Sequence, residues 1–400
     1  MAGAAAGFVA ISSQGCGNGK DDQARQPSFD RRAQVSLDEN WSEVREQFAI
    51  RPDLIDLSAL LISSHPRPVR EAINRHRQGL DEDPVGYLHS NINENERRVL
   101  ERAAEYLNTS SGDIAITDST TMGLGLIYNG IHVALGQEIL TTDQNYYSTD
   151  EALRLKAEKS GATVRSVPLY SDSANVSSGE LTARIVGAVS PATRVVALTW
   201  VHSSTGLKLP LAEISAALDE INDSRAENEN ILLGIDGVHG FGVEDFEISD
   251  LGCDYFAAGC HKWLFGPRGT GIVWASDRGW DNVSPTIPTF MDNSVRDAWV
   301  LGEEVTGVTT GRRFSPGGFK PFEHQWATAE AFDFHLDIGK SAVAERTHAR
   351  LELCRHHPLQ LGLRALQELH DLRPGHPLRE VFRPPRIALR LGGLGWQGVE

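Results

Sequence analysis

The chain has 400 residues, of which 40% are hydrophobic, and this is enough to build one large core and a smaller domain beside it. Its formal charge of −16 argues against nucleic acid as a partner, because phosphate binding needs a positive surface. No apolar run is long enough to cross a membrane, so we expect no integral membrane segment. The four cysteines are scattered without a Cys-x-x-Cys pair, and we therefore expect neither a disulfide framework nor a metal site.

The N-terminus allows two interpretations. Residues 1–16 are small and mostly apolar and end in a cysteine, which is typical of the later part of a bacterial export signal, although no basic twin-arginine start precedes them. Residues 17–34 are polar. We expect residues 1–34 to be either a disordered tail or a partial export signal. The location accordingly stays open between the cytoplasm and export by a twin-arginine-type route.

The next part of the chain alternates between predicted helices and strands. Residues 35–110 are expected to form an N-terminal helical segment, with helices at 36–48, 66–77 and 94–107. The predicted strands then lie at 114–117, 138–142, 163–169, 194–201, 231–236, 255–258 and 271–275, and the predicted helices between them at 122–134, 149–160, 178–188 and 211–221. This alternation predicts an α/β fold with a mainly parallel sheet of the seven-stranded type. The strands are apolar without alternation, which favours helices on both faces of the sheet.

The C-terminal part of the sequence changes in character. We expect residues 331–400 to form a small domain, but after about residue 351 lysine disappears and acidic residues become sparse. One interpretation is a loosely patterned small domain, and the other is a sequence that left its natural reading frame. The second is favoured because the apolar pattern stops abruptly. The small domain is therefore expected to be truncated or altered.

An aspartate and a lysine stand out at the ends of two predicted strands. Asp236 closes one strand, and Lys262 follows the next strand just beyond its end. Open α/β sheets bind ligands beyond the carboxyl ends of their strands, where these two side chains could meet. Pyridoxal phosphate (PLP) needs such a pair, because a lysine amine holds its aldehyde as a Schiff base and an aspartate keeps its pyridine nitrogen protonated. A surface lysine is the alternative, but the apolar run 263–265 predicts a pocket that lowers the lysine pKa.

Two further features support this interpretation. His239 follows Asp236 by three residues, where it could contact the cofactor ring or its phenolic oxygen. The run Asp118-Ser-Thr-Thr121 lies between a predicted strand and a predicted helix, so its amides and hydroxyls would form an anion site suited to a phosphate. Ser and Thr also cap many helices, which is the alternative for that run.

Taken together, these motifs resemble the class V aminotransferase superfamily of fold-type I PLP-dependent enzymes. The run Asp236-Gly-Val-His239, the pair His261-Lys262 and the turn Gly266-Pro-Arg-Gly-Thr-Gly271 stand at the family's spacing, and the resemblance covers about residues 50–350. Within the family the chain is most similar to the isopenicillin N epimerase-like and cysteine desulfurase-like branch. The resemblance implies a large PLP-binding α/β domain at 111–330, a small amino-acid-type substrate and a homodimer.

The resemblance also assigns roles to individual residues. Lys262 matches the Schiff-base lysine, Asp236 the partner of the pyridine nitrogen and His239 the neighbour of the ring oxygen. The other cofactor-binding positions that it implies are Ser119, Thr120, Thr121, Gln144, Ser203 and His261.

Several positions depart from the family pattern. Gln144 stands where relatives stack a histidine on the ring, although Tyr146 or Tyr147 could substitute. Gly259 replaces a polar residue, and Ser203 stands where relatives often carry Asn. Neither the arginine that clamps the substrate carboxylate nor the nucleophilic cysteine of desulfurases can be matched.

The expected function is that of an isopenicillin N epimerase-like PLP enzyme acting on an amino acid or an amino-acid-derived substrate. A C–S lyase or desulfurase-like activity and an aminotransferase are alternatives, because all of them share the first steps at Lys262. A degenerate, non-catalytic binding protein that keeps the fold is the alternative from another class.

Overall fold

The computed structural model describes residues 41–356 except residue 55, with side chains described up to residue 352. The predicted tail or export signal at 1–34 lies outside the described residues, as does most of the altered segment after 351. How the chain divides into domains stays a prediction. None of the helices between residues 41 and 356 combines the length and the apolar character that a bilayer crossing needs.

Three helices precede the sheet, namely α1 (Trp41–Glu46), α2 (Arg67–Glu82) and α3 (Pro84–Leu107). Helix α3 begins ten residues before its predicted start at 94. Asp83 caps it by accepting a hydrogen bond from the amide of Gly86, and Pro84 occupies its first turn, where a missing N–H costs nothing. Val85, Leu88 and Ile92 follow helical spacing within residues 84–93, so the apolar pattern extends toward the observed start and the predicted start was placed too late.

Seven strands form one sheet in the order β1-β7-β6-β5-β4-β2-β3. Their bounds are β1 Ile114–Thr117, β2 Glu138–Thr142, β3 Thr163–Val167, β4 Thr193–Thr199, β5 Leu232–Asp236, β6 Tyr255–Gly259 and β7 Gly271–Ala275. Strand β7 runs antiparallel to both of its neighbours, and the other pairings are parallel. The predicted α/β fold with a mainly parallel seven-stranded sheet is confirmed.

Helices cover both faces of the sheet. In β4, Val196 and Leu198 belong to one core cluster, whereas Val195 and Ala197 belong to another. The first cluster includes side chains of α3, α6 (Ser178–Gly187), α7 (Leu211–Asn222) and α12 (Thr328–Ile338), and the second includes side chains of α4 (Thr120–Gly130) and α5 (Tyr147–Ser160). The remaining helices are α8 Asp277–Asp281, α9 Asn293–Leu301, α10 Gly311–Phe314, α11 Phe322–Trp326 and α13 Lys340–His356. Burial on both faces explains why the strand sequences are apolar without alternation.

The strand directions place the loops that matter for function at one edge of the sheet. Strands β1 and β6 both run antiparallel to β7 and therefore point the same way, as do β2, β4 and β5. The segments after β1, β2, β4, β5 and β6 consequently leave the sheet at a common edge, where ligands of open α/β sheets bind.

Candidate active site

Asp236 is the last residue of β5 and is only 3% exposed. Its Oδ1 accepts a hydrogen bond from the amide of Val238 at 3.1 Å. The buried hydroxyl of Thr149 has no hydrogen-bond partner among the described residues, and it lies close enough to the carboxyl group to lower its pKa. Asp236 forms no ion pair with any described residue. Burial raises its pKa to about 6, against the weaker opposing effects of the Val238 amide, of Lys262 and of Thr149. The carboxylate is thus a buried acid that forms no ion pair within the described part of the chain.

Lys262 reaches the same region from the loop after β6. Its Nζ lies 3.1 Å from Nε2 of His239, which stands three residues beyond Asp236. Burial lowers the pKa of Lys262, and the attraction of Asp236 opposes that shift. Burial, followed by the charge of Lys262, lowers the pKa of His239 to about 4, so its imidazole is neutral at neutral pH. The structure therefore brings together the three residues that the sequence singled out for the centre of the site.

The loop that carries Lys262 is fixed by contacts that the sequence did not reveal. The indole Nε1–H of Trp263 donates to Nδ1 of His239 at 3.2 Å. The carbonyl of Trp263 accepts from Nε2 of His335, a fully buried residue of α12, at 2.9 Å. The ring of His335 stacks on Phe265, with centroids 5.4 Å apart. Trp263 carried a signal only through its position beside Lys262, and His335 carried none.

The turn after this loop explains why residue 266, the first of the glycine-rich run 266–271, is a glycine. The amide of Gly266 donates to the carbonyl of Cys260 at 2.8 Å. A Cβ on Gly266 would lie 2.8 Å from the Cβ of Cys260, so only glycine permits this close return of the backbone. The turn sets the direction in which the chain enters β7.

The predicted anion site lies at the N-terminus of α4. Ser119 caps this helix, because its Oγ accepts from the amide of Met122 at 3.1 Å. Thr120 is buried, and its Oγ1 accepts from the amide of Gly259 at 2.8 Å, whereas Thr121 is exposed in the first turn. Both accepting hydroxyls keep their own proton to donate. The amides of the first turn have no partner inside the helix, so this end of α4 suits an anion.

His261 lies beside this anion site. A Cβ on Gly259 would lie 2.8 Å from Cε1 of His261 and 3.1 Å from Oγ1 of Thr120. The imidazole thus occupies the space that a side chain at 259 would need, which is the physical reason for the glycine there. The carbonyl of His261 accepts from both the amide and the hydroxyl of Ser63, each at 3.0 Å.

Gln144 and Ser203 lie at the same edge of the sheet but make no contact with Asp236 or Lys262. Oε1 of Gln144 accepts from the amide of Leu169 at 3.2 Å, beyond the end of β3. Ser203 is exposed in the turn after β4. Their predicted cofactor contacts stay predictions.

The neighbour of Gln144 points toward the sheet instead. The side-chain oxygen of Asn145 accepts from Oγ1 of Thr199 at 3.1 Å, at the end of β4. Next to it, Tyr146 and Tyr147 pair at the start of α5 with ring centroids 4.7 Å apart, and both are exposed. The aromatic side chains of this segment are therefore accessible at the edge where the site lies.

The described residues fit pyridoxal phosphate on three counts. The buried carboxylate of Asp236 lacks a cation, and the protonated pyridine nitrogen is one. The amine of Lys262 has a lowered pKa, which suits condensation with an aldehyde. The first turn of α4 offers amides and hydroxyls for a phosphate. One negative, one nucleophilic and one anion-binding element thus stand at a single edge of the sheet.

Comparisons with known proteins agree with this geometry. The family described as aminotransferase class-V matches residues 66–362. The chain is 26% identical to isopenicillin N epimerase of Streptomyces clavuligerus over 322 residues, which are 79% of this chain and 77% of that protein. It is 27% identical to a cysteine desulfurase of Klebsiella pneumoniae subsp. pneumoniae over 192 residues, 47% of this chain and 44% of that one.

A solved structure of the same type is a C-DES variant with glycine covalently linked to the PLP cofactor. It is 25% identical, superposes with a TM-score of 0.64, and the match covers 76% of this chain and 75% of that one. On the family match, the shared fold and the fit of the site, this chain belongs to the class V aminotransferase family of pyridoxal-phosphate-dependent enzymes.

Proposed function

We propose that this protein holds pyridoxal phosphate through Lys262 and Asp236 and acts at the α-carbon of an amino acid or an amino-acid-derived substrate. The observation that carries the proposal is the buried, unpaired carboxylate of Asp236 at the same edge as the lysine amine, which lies 3.1 Å from His239. A surface lysine would not be buried beside a neutral histidine and opposite a carboxylate.

When bound, pyridoxal phosphate supplies an aldehyde that condenses with amines and a protonated ring that accepts electrons from the α-carbon. Asp236 holds the proton on the ring nitrogen, because its own buried charge is stabilised by the cation that it keeps there. Lys262 would supply the nucleophilic amine and a base able to accept or return the proton at the α-carbon. The start of α4 would hold the phosphate.

Among the possible outcomes we propose epimerisation, as in isopenicillin N epimerase. The support is a relative of that name aligned over 79% of this chain, against 47% for the cysteine desulfurase. Epimerisation requires that the proton removed from one face of the α-carbon be returned to the other. Deuterium from the solvent should then appear at the α-carbon together with inversion of its configuration.

A C–S lyase is the second candidate, since C-DES is named in a solved complex as a cystine C–S lyase with its product cysteine persulfide. The cysteines described in this structure do not favour a desulfurase with a protein thiolate. Cys253 and Cys260 are both buried, and burial raises the pKa of both thiols, that of Cys260 to about 12. A lyase needs no such thiolate, and it would release a β-substituent without inverting the substrate.

We also propose a homodimer. Large apolar side chains are exposed in two segments, residues 57–61 and 299–319; they include Leu57, Leu61, Trp299, Val308 and Phe319. Exposed apolar surface of this extent is typical of interfaces between subunits. Light scattering coupled to gel filtration should give twice the chain mass of 43.8 kDa.

The proposed function is tested by titrating the purified chain with pyridoxal phosphate and recording the absorption of the cofactor. A new band should form in the wild type, be absent in Lys262→Ala and persist in Lys159→Ala. Lys159 is a matched control, because its amine donates to the side-chain oxygen of the half-buried Asn129 at 2.9 Å, a residue outside the site. A wild-type protein that stays colourless at saturating cofactor would overturn the proposal.

The reaction type is decided in the same preparation with a panel of amino acids in deuterated water. Inversion with α-deuteration supports the epimerase. Release of ammonia with pyruvate and the β-substituent supports the lyase. An oxo acid that keeps the whole side chain of the substrate and accumulates only when a second oxo acid is added as amino acceptor supports an aminotransferase.

A further inference from the structure

The hydrogen bond from Trp263 to His239 determines where the proton lies on the imidazole. An indole N–H only donates, so Nδ1 of His239 must carry a lone pair. A neutral imidazole has one N–H, which therefore stands on Nε2. Nε2 is the atom that lies 3.1 Å from Nζ of Lys262. His239 accordingly presents a donor to the lysine.

A donor in this position selects the charge state of the amine. An ammonium group carries only donors, whereas a neutral amine has a lone pair that accepts from His239. A protonated His239 would also lose its bond to the indole, and burial lowers its pKa to about 4. Of the other titratable groups around the amine, Asp236 favours the ammonium, and His261 has a pKa lowered by burial and then by Lys262. The state in which all donors and acceptors match has Lys262 neutral.

Contacts with α12 hold the loop that carries the indole of Trp263. The carbonyl of Trp263 accepts from Nε2 of the buried His335 at 2.9 Å, and the ring of His335 stacks on Phe265. The chain that follows the indole is thereby tied to α12. The plane of the Trp263 ring meets that of His239 at 65°, edge to face, with centroids 6.4 Å apart.

We propose that Trp263 is a positioning residue that, by donating to Nδ1 of His239, holds the imidazole in its Nε2–H form and keeps the amine of Lys262 neutral. The proposal rests on the proposed function of Lys262. Its test reads the protein without cofactor, so its failure is distinguishable from failure to bind pyridoxal phosphate. A donor kept at Nε2 would also stabilise an anionic oxygen placed there.

The direct test is nitrogen-15 NMR of the full-length, cofactor-free protein labelled at its histidines. His239 is identified among the 14 histidines by its absence in His239→Gln. In the wild type we expect its Nε2 to be protonated and its Nδ1 to be bare. A proton on Nδ1 would overturn the proposal, and because this measurement concerns the wild type it does not depend on the folding of a Trp263 variant.

The second test compares Trp263→Phe with Trp274→Phe. The latter is a matched control, since the indole of Trp274 also donates one hydrogen bond, at 3.0 Å, but to Thr109. Competitive acylation followed by peptide mass spectrometry gives the fraction of neutral amine at Lys262 as a function of pH. Without the indole, His239 is free to accept from an ammonium, so we expect the reactivity of Lys262 at pH 7 to fall about fivefold, the effect of one ordinary hydrogen bond. Equal profiles for Trp263→Phe and the wild type would contradict the proposal.

Discussion

Two buried aspartates at the ends of neighbouring strands differ in whether their carboxylate is paired with a cationic side chain. Asp254, just before β6, is 1% exposed and receives hydrogen bonds from Arg278 at 2.6 and 3.1 Å, from the amide of Leu233 at 2.8 Å and from Ser276 at 3.2 Å. Asp236, at the end of β5, is 3% exposed but has no guanidinium or ammonium paired with it within the described part of the chain.

The contrast teaches how to separate a structural from a functional carboxylate. A buried charge that finds its counter-ion within the protein contributes to holding the fold together, and removing either partner leaves the other uncompensated. A buried carboxylate without one carries a desolvation cost that a bound cation would offset. Burial alone would not have told the two aspartates apart.

The largest expected effect is on catalysis in Asp236→Asn. The amide cannot keep the ring nitrogen protonated. For the substrate that the amino-acid panel identifies, we therefore expect kcat/KM to fall by roughly a thousandfold. Thermal unfolding of the cofactor-free variant should be no worse than that of the wild type at pH 7. A variant that kept more than a tenth of the activity would show that Asp236 is not the functional carboxylate.

Asp254→Asn should lower the stability of the protein and leave its activity unchanged. Breaking its buried pair with Arg278 should lower the free energy of unfolding by about 3–4 kcal/mol, toward the lower end of the range because the guanidinium stays partly exposed to water. The measurement is urea unfolding of the cofactor-free protein at pH 7. Activity per folded molecule should be unchanged; a thousandfold loss there would erase the distinction between the two aspartates.

The pH dependence of the unfolding free energy tests whether Asp236 is buried without a counter-ion. The pKa of Asp236 is about 6 in the folded chain against an ordinary value of 3.8, so the folded state binds its proton more tightly than the unfolded state. The resulting stabilisation is fully present below pH 3.8 and is lost as the pH rises through 6. Between pH 4 and 7 the cofactor-free wild type should lose about 2–3 kcal/mol of unfolding free energy relative to Asp236→Asn. Parallel stability curves for the two proteins would contradict this.

The smallest effect concerns Thr149, whose hydroxyl faces Asp236. Thr149→Val keeps the branched shape and removes the donor, so it should raise the pKa of Asp236 further. We expect the unfolding free energy at pH 7 to fall by about 1 kcal/mol, and by less at pH 4, where the carboxyl is protonated. An equal loss at both pH values would mean that the hydroxyl does not act on the carboxylate.

Much of the fold could be predicted because the strands are buried on both faces. Strands β1, β2 and β7 have the bounds that their apolar runs predicted, and Asp236 was visible as a charge closing such a run. The placement of Asp236 and Lys262 at the same edge of the sheet followed from the rule that parallel strands end at one edge. Helix α3 was predicted too short, although Val85, Leu88 and Ile92 continue its apolar spacing and Asp83 caps its start.

The contacts that support the site could not be predicted from the sequence. His335 reaches Trp263 from 72 residues further along the chain, and a histidine in an apolar helix carries no sign of its partner. Thr149 is the third residue of α5, and nothing in the local sequence distinguishes it from other threonines in helices. Such side chains are recruited by packing across elements, which local patterns do not encode.

The conformation of Phe265 makes the loop of Lys262 dependent on distant parts of the chain. Its φ of 58° is a left-handed conformation that a bulky residue adopts only where its surroundings enforce it, at a cost of about 1–3 kcal/mol. The enforcing contacts are aromatic rings distant in sequence, His335 and Phe48, at 5.4 and 5.0 Å. The shape of the Lys262 loop therefore depends on the segment following α1 and on helix α12, both distant in sequence. Cofactor binding should accordingly report whether these two segments are docked on the loop.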